Sequence, residues 1–124
     1  MKYLGVDFGL KRVGLAVSEG ELSSPYKIIE GTNFFDLCEK IIKEAIGFNK
    51  VVIGLPEGKM GKLVKKAIRK LRESGIDVVE ADETLSTQDA TKQMIELNIP
   101  KKKRKINDAY SASIILQNYL DEKV

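Results

Sequence analysis

The sequence predicts an α/β domain: a mixed five-stranded sheet flanked by helices. Three observations point there. The first thirty residues read as consecutive short strands separated by turn residues. Beyond them, segments with apolar residues at helical spacing alternate with strand-like runs. One of those runs, residues 50–55 (KVVIGL), is apolar almost throughout, as a central parallel strand covered on both faces must be.

The elements follow in order. Residues 2–8 (KYLGVDF) read as a buried strand and 12–18 (RVGLAVS) as a second. The short turn Gly9-Leu10-Lys11 makes the two a hairpin. Pro25 marks a break, and 26–30 (YKIIE) form a third strand. Asn33 is a good N-cap for a helix that places Phe34, Leu37, Cys38, Ile41, Ile42, Ala45 and Ile46 at helical spacing. Gly47 ends it. Strand 50–55 follows, then a loop at Pro56 and Gly58. Residues 61–74 form a basic amphipathic helix closed by Gly75, with Leu63, Val64, Ala67, Ile68 and Leu71 inward. Residues 76–81 (IDVVEA) are a fifth strand. Ser86 caps a helix running to about Leu97, with Asp89 in the capping-box place. A final helix covers 106–122, with Ala109, Ala112, Leu116 and Leu120 on one face. A hairpin followed by alternating helices and strands implies one mixed sheet with helical layers. No linker or repeat divides the chain, so 1–124 is read as a single domain.

The missing side chains narrow the chemistry. The chain has no histidine. A Ser-His-Asp triad, a Cys-His pair and histidine-based cleavage of RNA are therefore excluded. A single cysteine, Cys38, allows neither a disulfide framework nor a Cys/His zinc site within one chain. Catalysis is left to carboxylates, lysines, hydroxyls, backbone amides or a borrowed ion. No apolar run reaches the roughly 20 residues of a bilayer span. The N-terminus lacks the long apolar core of a secretory signal, so a cytoplasmic protein is expected.

Sites in such sheets lie outside the carboxyl ends of the parallel strands. That rule selects the acids. Asp7 sits near the end of the first strand inside an otherwise apolar run. Asp82 and Glu83 lie just past the fifth strand, and Asp108 falls in the first turn of the last helix. Three segments can thus bring carboxylates to one rim, provided the first, fourth and fifth strands are neighbours. Such acids suit magnesium or manganese, hard ions that take oxygen ligands. Two ions roughly 3.5–4 Å apart can clamp the attacking and leaving oxygens of a phosphodiester. Each acid also has a plainer reading: a turn bond for Asp7, loop acids at 82 and 83, a helix-dipole partner for Asp108. Glu57, after the fourth strand, is a further candidate.

Four segments together resemble the YqgF (RuvX-like) family of Holliday-junction resolvases and pre-16S rRNA nucleases. Residues 7–16 (DFGLKRVGLA) are similar to the family's D-x-G-x-K-R-[IV]-G-x-A. Val52-Ile53-Gly54-Leu55-Pro56 is similar to V-[VI]-G-L-P. Residues 82–87 (DETLST) are similar to D-E-R-[LF]-[ST]-[ST], and 108–112 (DAYSA) to D-x-x-[AS]-A. The order is right and nearly the whole chain is spanned. The resemblance implies an RNase H-like fold and metal-dependent nuclease chemistry. By position, it implies Asp7, Glu83 and Asp108 as catalytic, metal-binding acids. Two departures stand out: Thr84 replaces the usual arginine, and the loop after Pro56 is short.

Net charge is +3, but its distribution says more. Lys101, Lys102, Lys103, Arg104 and Lys105 form an unbroken basic run directly before Asp108. Together with Lys11 and Arg12 beside Asp7, they are candidate contacts to a phosphate backbone. The basic helix 61–74 reads as a solvated face. Cys38 reads as core. The expected function is a metal-dependent endonuclease on structured nucleic acid, foremost in 5′-end processing of precursor 16S rRNA, with Mg²⁺ or Mn²⁺ as cofactor. Alternatives are a Holliday junction resolvase, which needs two sites and hence a dimer, and a non-catalytic RNA-binding module. A nucleotide-binding phosphotransferase would need a second lobe that 124 residues do not supply. The expected protein is a monomer or homodimer.

Overall fold

The computed structural model describes residues 1–82 and 107–122. Its strands are β1 (Tyr3–Phe8), β2 (Arg12–Ser18), β3 (Ser24–Glu30), β4 (Lys50–Leu55) and β5 (Val78–Asp82). Its helices are α1 (Phe34–Glu44), α2 (Lys59–Glu73) and α3 (Asn107–Glu122). The expected helix from Ser86 to Leu97 lies outside the described residues.

The sheet order is β3-β2-β1-β4-β5. β1, β2 and β3 pair antiparallel, whereas β1-β4 and β4-β5 pair parallel. The first, fourth and fifth strands are therefore neighbours, as a shared acidic rim requires. The expected mixed sheet is present.

Alternation sorts the strand residues onto two faces. Leu4, Val6, Phe8, Val13, Leu15, Val51 and Ile53 join Leu37, Cys38 and Ile41 of α1 and Val64, Ile68 and Leu71 of α2 in the larger core. Tyr3, Ala16 and Val52 meet Ala112, Ile115, Leu116 and Leu120 of α3 in the smaller one. All four residues expected on the inner face of α3, Ala109, Ala112, Leu116 and Leu120, are buried.

α1 begins where its cap predicts: the Asp36 N–H donates to Asn33 Oδ1 at 2.9 Å. Gly47 and Gly75 take positive φ (90° and 88°) just beyond α1 and α2, in the place expected of helix-ending glycines.

Three of the boundaries that differ from the sequence reading have a visible cause. Pro25 does not break the chain but lies inside β3. β3 is an edge strand, where one row of ladder bonds is not needed, so a residue without an N–H is tolerated. Leu15 pairs with Lys27 and Ala16 with Pro25, leaving Tyr26 as the extra residue of a bulge. α2 starts at Lys59, earlier than expected, because Gly58 (φ 78°) turns the chain straight into the helix. β5 starts late, at Val78, because the Ile76 N–H is used on the Leu71 carbonyl at the end of α2. It also runs one residue further, so Asp82 closes the strand rather than following it.

Candidate active site

The parallel strands β1, β4 and β5 end on one edge of the sheet. Val6 pairs with Ile53, Ile53 with Glu80, and Leu55 with Asp82. Asp7 and Asp82 therefore lie within one residue of the same level. They stand two strands apart, about 10 Å across the sheet.

Asp7 is half-buried between Val6 and Phe8, which are buried on the other face. By alternation it shares the α3 face with Tyr3 and Gly5. The course of α3 over that face follows from two contacts. The rings of Tyr3 and Tyr119 meet edge-on at 5.9 Å. A Cβ on Gly5 would stand 2.8 Å from Leu116 Cβ and 2.9 Å from the Ala112 carbonyl oxygen. Walking up β1 from Tyr3 to Gly5 thus means walking back along α3 from Tyr119 to Ala112. The helix runs antiparallel to the strand. One more turn back from Ala112, about 6 Å, is Asp108. Two residues up from Gly5, about 7 Å, is Asp7. The first turn of α3 is in this way carried to the edge where β1 ends, on the face of Asp7.

The glycine at position 5 makes this possible, and the sequence reading did not single it out. Other small residues share that face, Gly14 and Ala16 on β2, Gly54 on β4 and Ala81 on β5, among larger ones such as its β4 partner Val52. The signal was present as at least one small residue on that face in each of four strands.

The hairpin from Phe8 to Arg12 closes at the same edge. The Gly9 N–H donates to the Arg12 carbonyl at 3.0 Å, and a Cβ at residue 9 would lie 2.5 Å from that oxygen. This tight closure sets the exposed Lys11 and Arg12 one turn from Asp7. Glu57 is exposed in the loop after β4, also at this edge. Glu83 and the run Lys101–Lys105 lie outside the described residues, as does Thr84. Asp82 and Asp108 are placed by their backbone alone. Among the described residues, no group of three acids, cysteines or histidines stands ready to hold a metal.

Cys38 is fully buried in the larger core, as expected, and burial pushes its thiol pKa up. It is a core residue on the face away from Asp7, not a nucleophile. No described helix is long and apolar enough to cross a membrane.

A family model described as "RuvX: Holliday junction resolvase" matches residues 1–122. The chain belongs to the RuvX family. RuvX relatives provisionally named pre-16S rRNA nucleases align over almost all of it. One from Endomicrobium trichonymphae is 35% identical over 133 residues, covering 97% of this chain and 95% of its own. One from Bacillus thuringiensis is 36% identical over 138 residues, covering 99% and 100%. Among solved structures, RuvC of T. thermophilus in complex with Holliday junction substrate superposes with a TM-score of 0.62 at 15% identity, covering 99% of this chain and 95% of that one. The fowlpox virus Holliday junction resolvase superposes with a TM-score of 0.65 at 12% identity over the full length of both. The fold of this RuvX protein is thus that of the RuvC-like resolvases, the RNase H-like architecture expected. A nuclease family and a resolvase-like fold are what the comparisons have in common.

Proposed function

We propose that this RuvX-family protein is a metal-dependent endonuclease acting on structured nucleic acid, in the 5′-end processing of precursor 16S rRNA. One observation carries the reading. The half-buried Asp7 lies at the carboxyl end of β1, where the first turn of α3 and the end of β5 also arrive. The names of the curated relatives support rRNA as substrate.

Asp7, Glu83 and Asp108 would hold magnesium or manganese. The donor chemistry fits, since carboxylate oxygens are what hard cations take. When bound, such ions offset the charge that builds on a phosphodiester under attack and make water a competent nucleophile without histidine. The chain's own cations have a different task. Lys11 and Arg12 on the β1-β2 hairpin, and Lys101–Lys105 ahead of Asp108, would hold the phosphate backbone across the edge. Their contacts are to phosphate and would position the strand without reading its sequence.

The family description favours a second reading, cleavage of four-way DNA junctions. One experiment addresses both. Purified protein with Mg²⁺ or Mn²⁺ is offered precursor 16S rRNA and a four-way DNA junction side by side. Cleavage of the rRNA near its mature 5′ end, abolished in Asp7→Asn, is the expected result. Cleavage of the junction alone selects the resolvase. Equal processing by wild type and by the triple variant of Asp7, Glu83 and Asp108 defeats the metal-dependent assignment and leaves a nucleic-acid-binding module.

A further inference from the structure

We infer that the outer face of α2 is a second contact for nucleic acid, gripping the phosphate backbone of a helical arm that continues past the edge onto the side of the sheet away from α3. The inference rests on the proposed nuclease reading for where the cut falls, but not for the contact itself.

Three observations carry it. The first is charge. Between Lys59 and Glu73, α2 has seven lysines and arginines and a single acid, Glu73. The second is the state of those cations. Two have structural occupations: Lys70 lies over the Phe35 ring at 4.7 Å, and Arg72 donates to the Val78 carbonyl at 2.9 Å. Lys62, Lys65, Lys66 and Arg69 are exposed and pair with no described acid. They sit at i,i+3 and i,i+4 spacings, where like charges repel one another across the turn. α1 treats the same spacing differently: Lys40 pairs with Asp36 at 3.3 Å. On a face needed only for solubility, interspersed acids would relieve that repulsion. A face that meets a polyanion gains from leaving them out, because each phosphate neutralised releases counterions.

The third observation is position. α2 enters directly from the loop after β4, so its first residue, Lys59, stands at the edge where β1, β4 and β5 end. From there the buried stripe of Val64, Ala67, Ile68 and Leu71 holds the helix against the sheet and turns the four cations outward. From Lys59 to Arg69 the stripe spans about 15 Å. That is roughly four base-pair steps of a duplex. An arm crossing the edge beside Lys11 and Arg12 is thus met by a continuation of positive charge. The grip is to phosphates, so RNA and DNA arms are held alike.

The test measures binding and cleavage separately on the full chain. Lys62→Gln, Lys66→Gln and Arg69→Gln are combined, and affinity for RNA and DNA duplexes of about two helical turns is followed against salt. Each lost phosphate contact on B-DNA should lower the slope of log K against log salt by about 0.9, so a drop of two to three is expected. Affinity near 0.1 M salt should fall at least about tenfold on both duplexes. KM for a cleaved substrate should rise while kcat holds. The charge-keeping variant Lys62→Arg with Lys66→Arg should behave as wild type. A control removing equal charge elsewhere, Lys2→Gln with Lys27→Gln and Lys43→Gln, should leave the slope unchanged. Equal losses in control and test variants, an unchanged slope in the test variant, or no duplex binding by the wild type each overturn the inference. Loss confined to one of the two duplexes overturns its phosphate-only basis. Binding that depends on α2 without any cleavage upholds the contact and defeats the nuclease reading. Cleavage with an unaltered slope does the reverse.

Discussion

The two faces of the sheet are built from different stock. Toward α1 and α2 the strands present Leu4, Val6, Phe8, Val13, Leu15, Val51 and Ile53, large side chains that fill a thick layer. Toward α3 they present Tyr3, Val52 and Val79 interleaved with the small residues Gly5, Gly14, Ala16, Gly54 and Ala81, with Asp7 at the end of β1. The large residues bury apolar area against two helices. The small ones let one helix settle close, close enough that Leu116 and Ala112 lie against Gly5. The lesson is a division of labour within one sheet. One face carries the larger core, and the other gives up part of its apolar area to fix the height at which α3 begins.

The sharpest way to break that comparison is at Asp7. Asp7→Asn should lower cleavage by about 10²–10³-fold or more, the scale of losing a main electrostatic contributor. Its thermal midpoint should stay near wild type, since the carboxylate is not part of either core. Retained cleavage, measured with Mg²⁺ on precursor rRNA, would remove the site from this edge.

On the opposite face, Ile53→Ala should cost about 2–5 kcal/mol in denaturant unfolding by leaving a cavity between β4 and α2. Cleavage per folded molecule should hardly change. An inactive but folded Ile53→Ala protein would show that the large face is not merely structural.

Gly5→Ala sharpens the comparison further. The new Cβ must displace Leu116 Cβ, 2.8 Å away, or the Ala112 carbonyl, 2.9 Å away. Overpacking of this kind costs about 1–3 kcal/mol. The helix moves by tenths of an ångström and carries its first turn with it. Cleavage, read at a temperature where the variant is fully folded, should therefore fall more than stability does. Full activity in a folded Gly5→Ala variant would disconnect the helix height from function.

The smallest effect lies far from the edge, at the start of α1. The Thr32 N–H bonded to Asp36 at 2.9 Å, together with Lys40, holds the Asp36 carboxyl below its usual value of 3.8. A carboxyl depressed in the folded state stabilises above its unfolded value. That contribution is complete at neutral pH and disappears as pH falls below about 3.8. Asp36→Ala should therefore lower the midpoint slightly at pH 7 and by less at a pH below 3.8. Because the group is exposed, an equal effect at both pH values would point to helix capping in place of charge.

Much of this was legible in the residues. The strands, the helices at Phe34–Glu44 and Lys59–Glu73, most of their buried faces and the cap at Asn33 follow from periodicity and local hydrogen bonding, whereas Ile46, at helical spacing but past the end of α1, is exposed. Three of the boundary errors share a cause. Pro25, Lys59 and Val78 are placed by neighbours in space: an edge position, a positive-φ glycine and a helix end that takes the Ile76 N–H. Gly5 escaped notice because its importance belongs to Ala112 and Leu116, more than a hundred residues away in sequence.

By itself the sequence determined which chemistry this protein has at its disposal. With no histidine and a single cysteine, it leaves catalysis to carboxylates, lysines, hydroxyls, backbone amides or a borrowed ion. It also determined the alternation of strand and helix, since period and capping are local properties of the chain. Only the tertiary structure decided that β4 enters beside β1, that α3 runs antiparallel across Gly5, and that their ends share one edge. Those are choices of packing between distant segments. They are made by which surfaces fit when water is excluded, and no window of sequence contains both partners.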